Sequence, residues 1–249
     1  MTKTLYDEGG VSLTANEETC VHTLRLNRGP NVVNHEMIRL LSAALAAFEG
    51  APHPKALLVT GSGKFFSAGL DLKFMMSSTH AQRGAMIVDF WALLARLLVA
   101  DCRTVAAVDG HAFGAGLFLA LACDFRIMRT GGSSRLCWPE ANLGMRLAKG
   151  FAELTRAKVS DPAVLREGVL TSRKYGSGEA REAGLIDAEV TAARWEEEGA
   201  ALAEAGLPEK LGLQNFDPKA YRQMKIELYA DAYRALTSGD FDAAPDSRL

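Results

Sequence analysis

Four short runs rich in β-branched and aliphatic residues occupy positions 21–26, 56–60, 104–108 and 125–128. Between them, at 35–48, 84–99 and 115–122, apolar residues return every three or four positions, the repeat of a helix with one buried face. Strand alternating with helix commits the chain to βα units and a mainly parallel sheet, because parallel neighbours can be joined only by a crossover long enough to hold a helix. Asn34, directly ahead of the first helical segment, has a side-chain oxygen suited to cap the free amides of a helix start. After Gly144 the pattern changes. Helical segments at 148–159, 162–170, 179–183, 191–205 and 218–237 dominate, and no β-rich run of comparable strength follows Trp138. The expectation is an α/β chain with a βα core over residues 1–190 and a helical region over 191–249, without repeats or a long linker.

Composition narrows the function classes. With 48% hydrophobic and 23% charged residues, a chain of 249 residues can bury a sizeable core. A net charge of −2 gives no general attraction to nucleic acid or to an anionic membrane. The longest apolar stretch, 113–123, is too short to span a bilayer, and residues 1–10 lack the apolar run of a signal peptide. Cys20, Cys102, Cys123 and Cys137 form no CxxC pair and no zinc-type spacing with histidine, so no metal is expected. The apolar surroundings of Cys102 and Cys123 suit buried thiols in a reducing compartment. The sequence ends in Ser247-Arg248-Leu249, a conservative variant of the Ser-Lys-Leu address read by the peroxisomal import receptor.

Three segments concentrate chemistry. Phe65 to Leu72 follows a strand and the turn Gly61-Ser62-Gly63, and its small residues Ser67, Ala68 and Gly69 would let a ligand approach the backbone. Alone, it also fits an ordinary strand-to-helix turn. Val108 to Leu117 repeats the theme, with Gly114-Ala115-Gly116 leaving amides uncovered at a helix N-terminus that favours developing negative charge. Alone, it also fits tight helix–sheet packing; a phosphate loop is disfavoured, since no GxGxxG and no Gly-Lys-Ser/Thr ending is present. Together the two turns could each aim one amide at a single carbonyl oxygen, the geometry of an oxyanion hole. In the third segment, Leu136 to Met145, Glu140 is the only acid between Asp124 and Glu153 and lies among apolar residues. A carboxyl so placed is either a solvated loop glutamate or a base whose pKa desolvation raises toward neutrality.

These segments resemble those of a known superfamily. Phe66-Ser67-Ala68-Gly69-Leu70-Asp71-Leu72 resembles the F-S-A-G-x-D-L segment of the crotonase (enoyl-CoA hydratase/isomerase) superfamily. Residues 107–124 resemble its A-V-x-G-x-A-x-G-G-G-x-x-L-A-x-x-C-D segment. Residues 26–34 are similar, in degraded form, to L-N-R-P-x-x-x-N-A-L, and Trp138-Pro139-Glu140 with Leu143-Gly144 is similar to P-E-x-x-L-G. The resemblance runs from about residue 11 to residue 190 with the segments in order. It implies a spiral of ββα units with a helical C-terminal region, assembled as trimers or dimers of trimers. It also implies a CoA thioester substrate and no separate cofactor, CoA being part of the substrate. The implied binding residues are Ser67, Ala68, Gly69, Leu70, Asp71, Leu72, Ala115 and Phe118, with the adenosine end near Ser67 and Ala68. The amides of Leu70 and Ala115 would hold the thioester oxygen; Ala115 departs from the family, which has a glycine there.

Family hydratases carry two glutamates. One matches Glu140, but the other, two residues after the glycine run, is replaced by Phe118. One base suits the Δ3,Δ2-enoyl-CoA isomerases, and the stretch 144–159 resembles the plant-type peroxisomal members. The expectation is an isomerase of fatty-acid β-oxidation with Glu140 as its base and Leu70 and Ala115 as oxyanion donors. The alternatives are an enoyl-CoA hydratase or another crotonase reaction, or a non-catalytic acyl-CoA-binding protein. Lys219, Arg222 and Lys225 form either a solvated basic helix face or a contact to CoA phosphates.

Overall fold

The computed structural model describes residues 1–205, 212, 215 and 217–242; the Ser247-Arg248-Leu249 tripeptide lies outside them. The chain opens with a hairpin, β1 (Thr2–Glu8) and β2 (Val11–Asn16), followed by β3 (Val21–Leu26) and a two-residue strand β4 (Val32–Val33). Helix α1 (His35–Glu49) begins where Asn34 Oδ1 accepts the Met37 amide at 2.9 Å, and it turns Met37, Leu40, Leu41 and Ala44 into the core. Next come β5 (Ala56–Thr60), the short β6 (Phe65–Ser67) and β7 (Gly69–Leu70), and α2 (Leu72–Ser77). Helix α3 (His80–Leu98) starts one turn earlier than its apolar repeat suggests. Its start is fixed by a capping box, in which Thr79 and Gln82 each satisfy the other's amide. Strands β8 (Arg103–Val108) and β9 (His111–Phe113) lead into α4 (Ala115–Ala122), and β10 (Phe125–Arg129) into β11 (Leu136–Cys137).

Helices α5 (Glu140–Leu143), α6 (Lys149–Lys158), α7 (Pro162–Leu165) and α8 (Ser177–Glu182) follow, with a π-helical turn at Arg166–Leu170 between the last two. The chain then forms β12 (Ala188–Val190), α9 (Trp195–Ala205), α10 (Pro218–Leu228) and α11 (Ala230–Thr237). The single helix expected over 218–237 is broken at Tyr229, whose φ of −113° and ψ of 30° leave the helical region.

The main sheet has seven strands in the order β1-β2-β3-β5-β8-β10-β12. It is antiparallel from β1 to β3 and parallel from β3 onward. A second, parallel sheet, β11-β9-β6, and the pair β4-β7 stand apart from it. Each of β5 and β8 is thus followed by a short strand of the smaller sheet and then by a helix, the ββα turn that the resemblance implied. The expected α/β architecture with its helical C-terminal region is what forms. The N-terminal hairpin was not anticipated: β1 is mostly exposed and polar, and only β2, with Val11, Leu13 and Ala15 inward, shows a period of two.

One face of the sheet carries the main core, in which α1, α3, α4 and α6 pack together. The other face is covered by α9. Gly199 allows that close approach, since a Cβ there would lie 2.9 Å from Leu58 and 3.2 Å from Ile127. Helix α10 is fastened through a buried polar knot. Lys225 Nζ lies 2.8 Å from Asp124 Oδ2 and donates to the Cys102 carbonyl, while Arg222 donates to the Val99 carbonyl. Those two cations therefore make bonds within the fold; Lys225 is buried, whereas Arg222 and Lys219 are exposed. Among the described residues no helix is long and apolar enough to cross a membrane.

Candidate active site

The two small-residue turns meet. β6 pairs with β9, and β7 lies beside the start of α4. The contact is backbone to backbone: a Cβ on Gly69 would stand 2.7 Å from the Phe113 carbonyl oxygen and 3.6 Å from the Ala115 nitrogen. Gly69 also has φ +96°, so two independent constraints demand glycine there. Gly116 is held just as tightly, with a would-be Cβ 2.4 Å from the Ser67 carbonyl oxygen. Gly114 caps α4 with φ 48° and ψ −114° and donates to the Cys137 carbonyl, tying the turn to β11. Between these two glycines, Ala115 sits in the first helical position with its methyl group buried in the core. The glycine that this chain lacks is thus the one whose Cβ finds room.

The amides that remain at this junction follow from the backbone. Ala115 stands in the first turn of α4, where an amide has no partner within its own helix. The Phe118 amide, by contrast, already donates to the Gly114 carbonyl. In the facing turn, the Gly69 amide donates to Ser67 Oγ and the Asp71 amide to the Val33 carbonyl, so Leu70 lies between two committed neighbours. Leu70 and Ala115 both line a cavity of about 170 Å³.

The Ser67 side chain is turned into the fold. It is fully buried, donates to the Asn31 carbonyl at 2.7 Å and accepts the Gly69 amide at 3.2 Å. The hydroxyl shapes the turn from inside and does not face the cavity, which Ala68, Gly69, Leu70 and Leu72 line instead. Asp71 caps α2, accepting the Phe74 amide at 3.1 Å, so its role there is structural.

Glu140 stands on the opposite wall. The segment ahead of it is anchored by Trp138, which is fully buried and donates to Thr155 Oγ1. Pro139 then starts the one-turn helix α5, closed by Gly144 in the left-handed region at φ 62°. The carboxyl comes to rest over the first turn of α4, its Oε1 3.7 Å from where a Cβ on Gly114 would stand. Its Oε2 is buried without a hydrogen-bond partner among the described residues. Burial pushes the carboxyl up to about 7, opposed by a hydrogen bond from its own backbone amide. A group with that value is half ionised near neutral pH, which suits it to take up and give back a proton.

Glu140 also borders a larger cavity of about 680 Å³, which shares Leu70, Leu72, Leu143 and Met145 with the smaller one. Its further walls are residues that the sequence motifs did not single out: Met75, Ile87, Phe151 and, at the end away from Ala115, His80, Phe241 and Asp242. The spacing of His80, Arg83 and Ile87 along one face of α3 was the one local signal for them.

Phe118 is placed differently from expectation. It is buried and stacks on Phe151, with ring centroids 4.2 Å apart and planes 9° from parallel, so Phe151 forms the cavity surface and Phe118 backs it. The position is apolar, as read, but one layer further from the cavity. In the lining of the two cavities the carboxyls are Glu140 and Asp242, and Asp242 is engaged by His80 and Arg146.

Known proteins share this arrangement of sequence and fold. The family model described as enoyl-CoA hydratase/isomerase matches residues 16–239. The peroxisomal enoyl-CoA delta isomerase 2 of Arabidopsis thaliana is 34% identical over 180 residues, 70% of this chain and 73% of that one. The carnitinyl-CoA dehydratase of Escherichia coli K12 is 35% identical over 205 residues, 77% of this chain and 72% of its own. In fold, an enoyl-CoA hydratase from Mycobacterium marinum superposes with a TM-score of 0.81 at 22% identity, covering 93% of this chain and 96% of that one. Relatives of different reaction types thus match through a common framework, and with the family model spanning nearly the whole described chain, this protein belongs to the enoyl-CoA hydratase/isomerase (crotonase) family.

Proposed function

We propose that this protein is a Δ3,Δ2-enoyl-CoA isomerase, moving the double bond of a 3-enoyl-CoA into conjugation to give the trans-2-enoyl-CoA. The observation that carries the reading is the desolvated carboxyl of Glu140, the one of the two cavity-lining carboxyls that has no cation beside it among the described residues. It faces the junction of the two turns with a value of about 7, and the position of the family's second acid is taken by Phe118, stacked on Phe151. Support also comes from the peroxisomal isomerase among the relatives. A phenyl ring cannot orient a water molecule or pass a proton, so addition of water to C3 lacks one of its two acids.

In the proposed mechanism the thioester oxygen accepts hydrogen bonds from the Leu70 and Ala115 amides. The Glu140 carboxylate removes a proton from C2, and the resulting dienolate spreads its charge onto that oxygen. Each amide donor contributes roughly 3 kcal/mol to stabilising the oxyanion. Protonated Glu140 then delivers its proton to C4. Phe151, with Phe118 behind it, keeps water from the intermediate, so proton return outruns water addition. The thioester supplies its own activation, and the reading invokes no separate cofactor.

The test is a direct comparison on purified protein with products separated by chromatography. Conversion of trans-3-hexenoyl-CoA to the conjugated isomer should be much faster than hydration of trans-2-hexenoyl-CoA. Faster formation of 3-hydroxyacyl-CoA would overturn the isomerase reading and leave another reaction of the family in its place.

A further inference from the structure

The segment that follows α11 returns to the larger cavity and closes the end away from Ala115. Phe241 lies against α3: a Cβ on Gly84 would stand 3.2 Å from Phe241 Cδ1, and the Trp91 ring centroid is 6.2 Å from that of Phe241. The Arg146 guanidinium sits 4.4 Å from the centre of the Phe241 ring and donates to the Phe241 carbonyl. Asp242 is gripped from two sides, with His80 Nε2 at 2.8 Å and Arg146 Nη2 at 3.1 Å. Gly84 is what lets the ring come so close to the helix.

An acyl group whose carbonyl sits between Leu70 and Ala115, with C2 beside Glu140, has one roomy apolar direction to follow. Met75, Met145 and Phe151 are among the apolar walls of the larger cavity, and Phe241 lines it as well. From this geometry we infer that Phe241 is the stop that limits how long an acyl chain the site accepts, and that Asp242, clamped by His80 and Arg146, holds the stop in place. The inference rests on the acyl-thioester reading above, but not on which reaction follows binding.

Saturated hexanoyl-CoA and dodecanoyl-CoA, which hold no double bond to move, are the probes, titrated calorimetrically into the full chain. Each methylene newly covered by protein raises affinity about fourfold. Phe241→Ala should therefore raise the dodecanoyl-to-hexanoyl affinity ratio by about 15-fold, for roughly two further methylenes. Phe241→Trp should lower the ratio, and Asp242→Asn, which loosens the clamp, should raise it. Phe241→Leu, which keeps an apolar contact to α3, replaces Phe241→Ala if the alanine variant does not fold, and should shift the ratio in the same direction. An unchanged ratio in a folded Phe241→Ala or Phe241→Leu protein overturns the inference. Wild-type protein that binds neither ester overturns it together with the acyl-thioester reading. Shifted ratios in a protein without isomerase turnover uphold the stop and discard only the choice of reaction.

Discussion

Replacing Glu140 by Gln should make the protein both nearly inactive and more stable, with the gain in stability switched by pH. The carboxyl is lifted from the ordinary 4.5 to about 7 because burial strips water from its charged form. That difference corresponds to about 3 kcal/mol of folding free energy lost when the group must ionise inside the folded protein. The sign follows from the order of the two values. Below 4.5 the group is neutral in both folded and unfolded chains, and it costs nothing. Between 4.5 and about 7 the unfolded chain ionises first, so the wild type loses stability as pH rises. Above about 7 both forms are ionised and the loss is complete. Gln keeps the shape and polarity of the protonated acid without the charge, so at pH 8 the variant should be about 3 kcal/mol more stable. At roughly 2–4 °C per kcal/mol for a domain of this size, its melting temperature should rise by about 6–12 °C at pH 8 and match the wild type near pH 4. Turnover should fall at least ~10²-fold, as for other lost general bases. The assay pairs thermal melts of both proteins across this pH range with the isomerase assay at pH 8. A melting difference that does not change with pH, or a Gln variant that melts lower at pH 8, would refute the argument that Glu140 is a desolvated carboxyl. Near-normal turnover would show that another group is the base.

Three further outcomes follow from the packing. Gly116→Ala places a methyl group 2.4 Å from the Ser67 carbonyl oxygen and should cost about 1–3 kcal/mol in a melt while depressing turnover, whereas Ala115→Gly should fold and leave the turn in place. Lys225→Met removes the partner of buried Asp124 and should cost about 3 kcal/mol by denaturant titration; a loss confined to CoA-ester affinity, with stability kept, would instead assign Lys225 to the ligand. A fluorescent reporter ending in Ser247-Arg248-Leu249 should enter peroxisomes in cells with competent import, and a diffuse signal would refute that reading of the tripeptide.

Much of this protein is written locally. β3, β5 and α4 fall within the boundaries that apolar repeats and glycines mark, and Asn34 caps the helix it precedes, because periodicity and capping depend on neighbours a few residues apart. The demand for small residues at Gly69 and Gly116 is also visible in the chain, although its cause, a carbonyl oxygen from the facing turn, is not. Glu140 stands out in the sequence as a lone acid among apolar residues, but its burial needs Trp138 anchored to Thr155 and the first turn of α4 beneath it. What the sequence did not disclose is what depends on distant encounters. β1 is mostly polar and exposed, with only Leu5 and Tyr6 half-buried, so its strand is visible only once it pairs with β2. Ser67 reads as a ligand contact until Asn31, thirty-six positions away, draws its hydroxyl inward. Phe118 reads as a cavity wall until Phe151 stacks in front of it, and Phe241, beyond the last helical segment at 218–237, has no local signal until Gly84, Arg146 and His80 gather around it. Local order follows from a residue's neighbours in the chain, whereas the direction a side chain faces follows from whatever folding brings against it, and only the tertiary structure contains that partner.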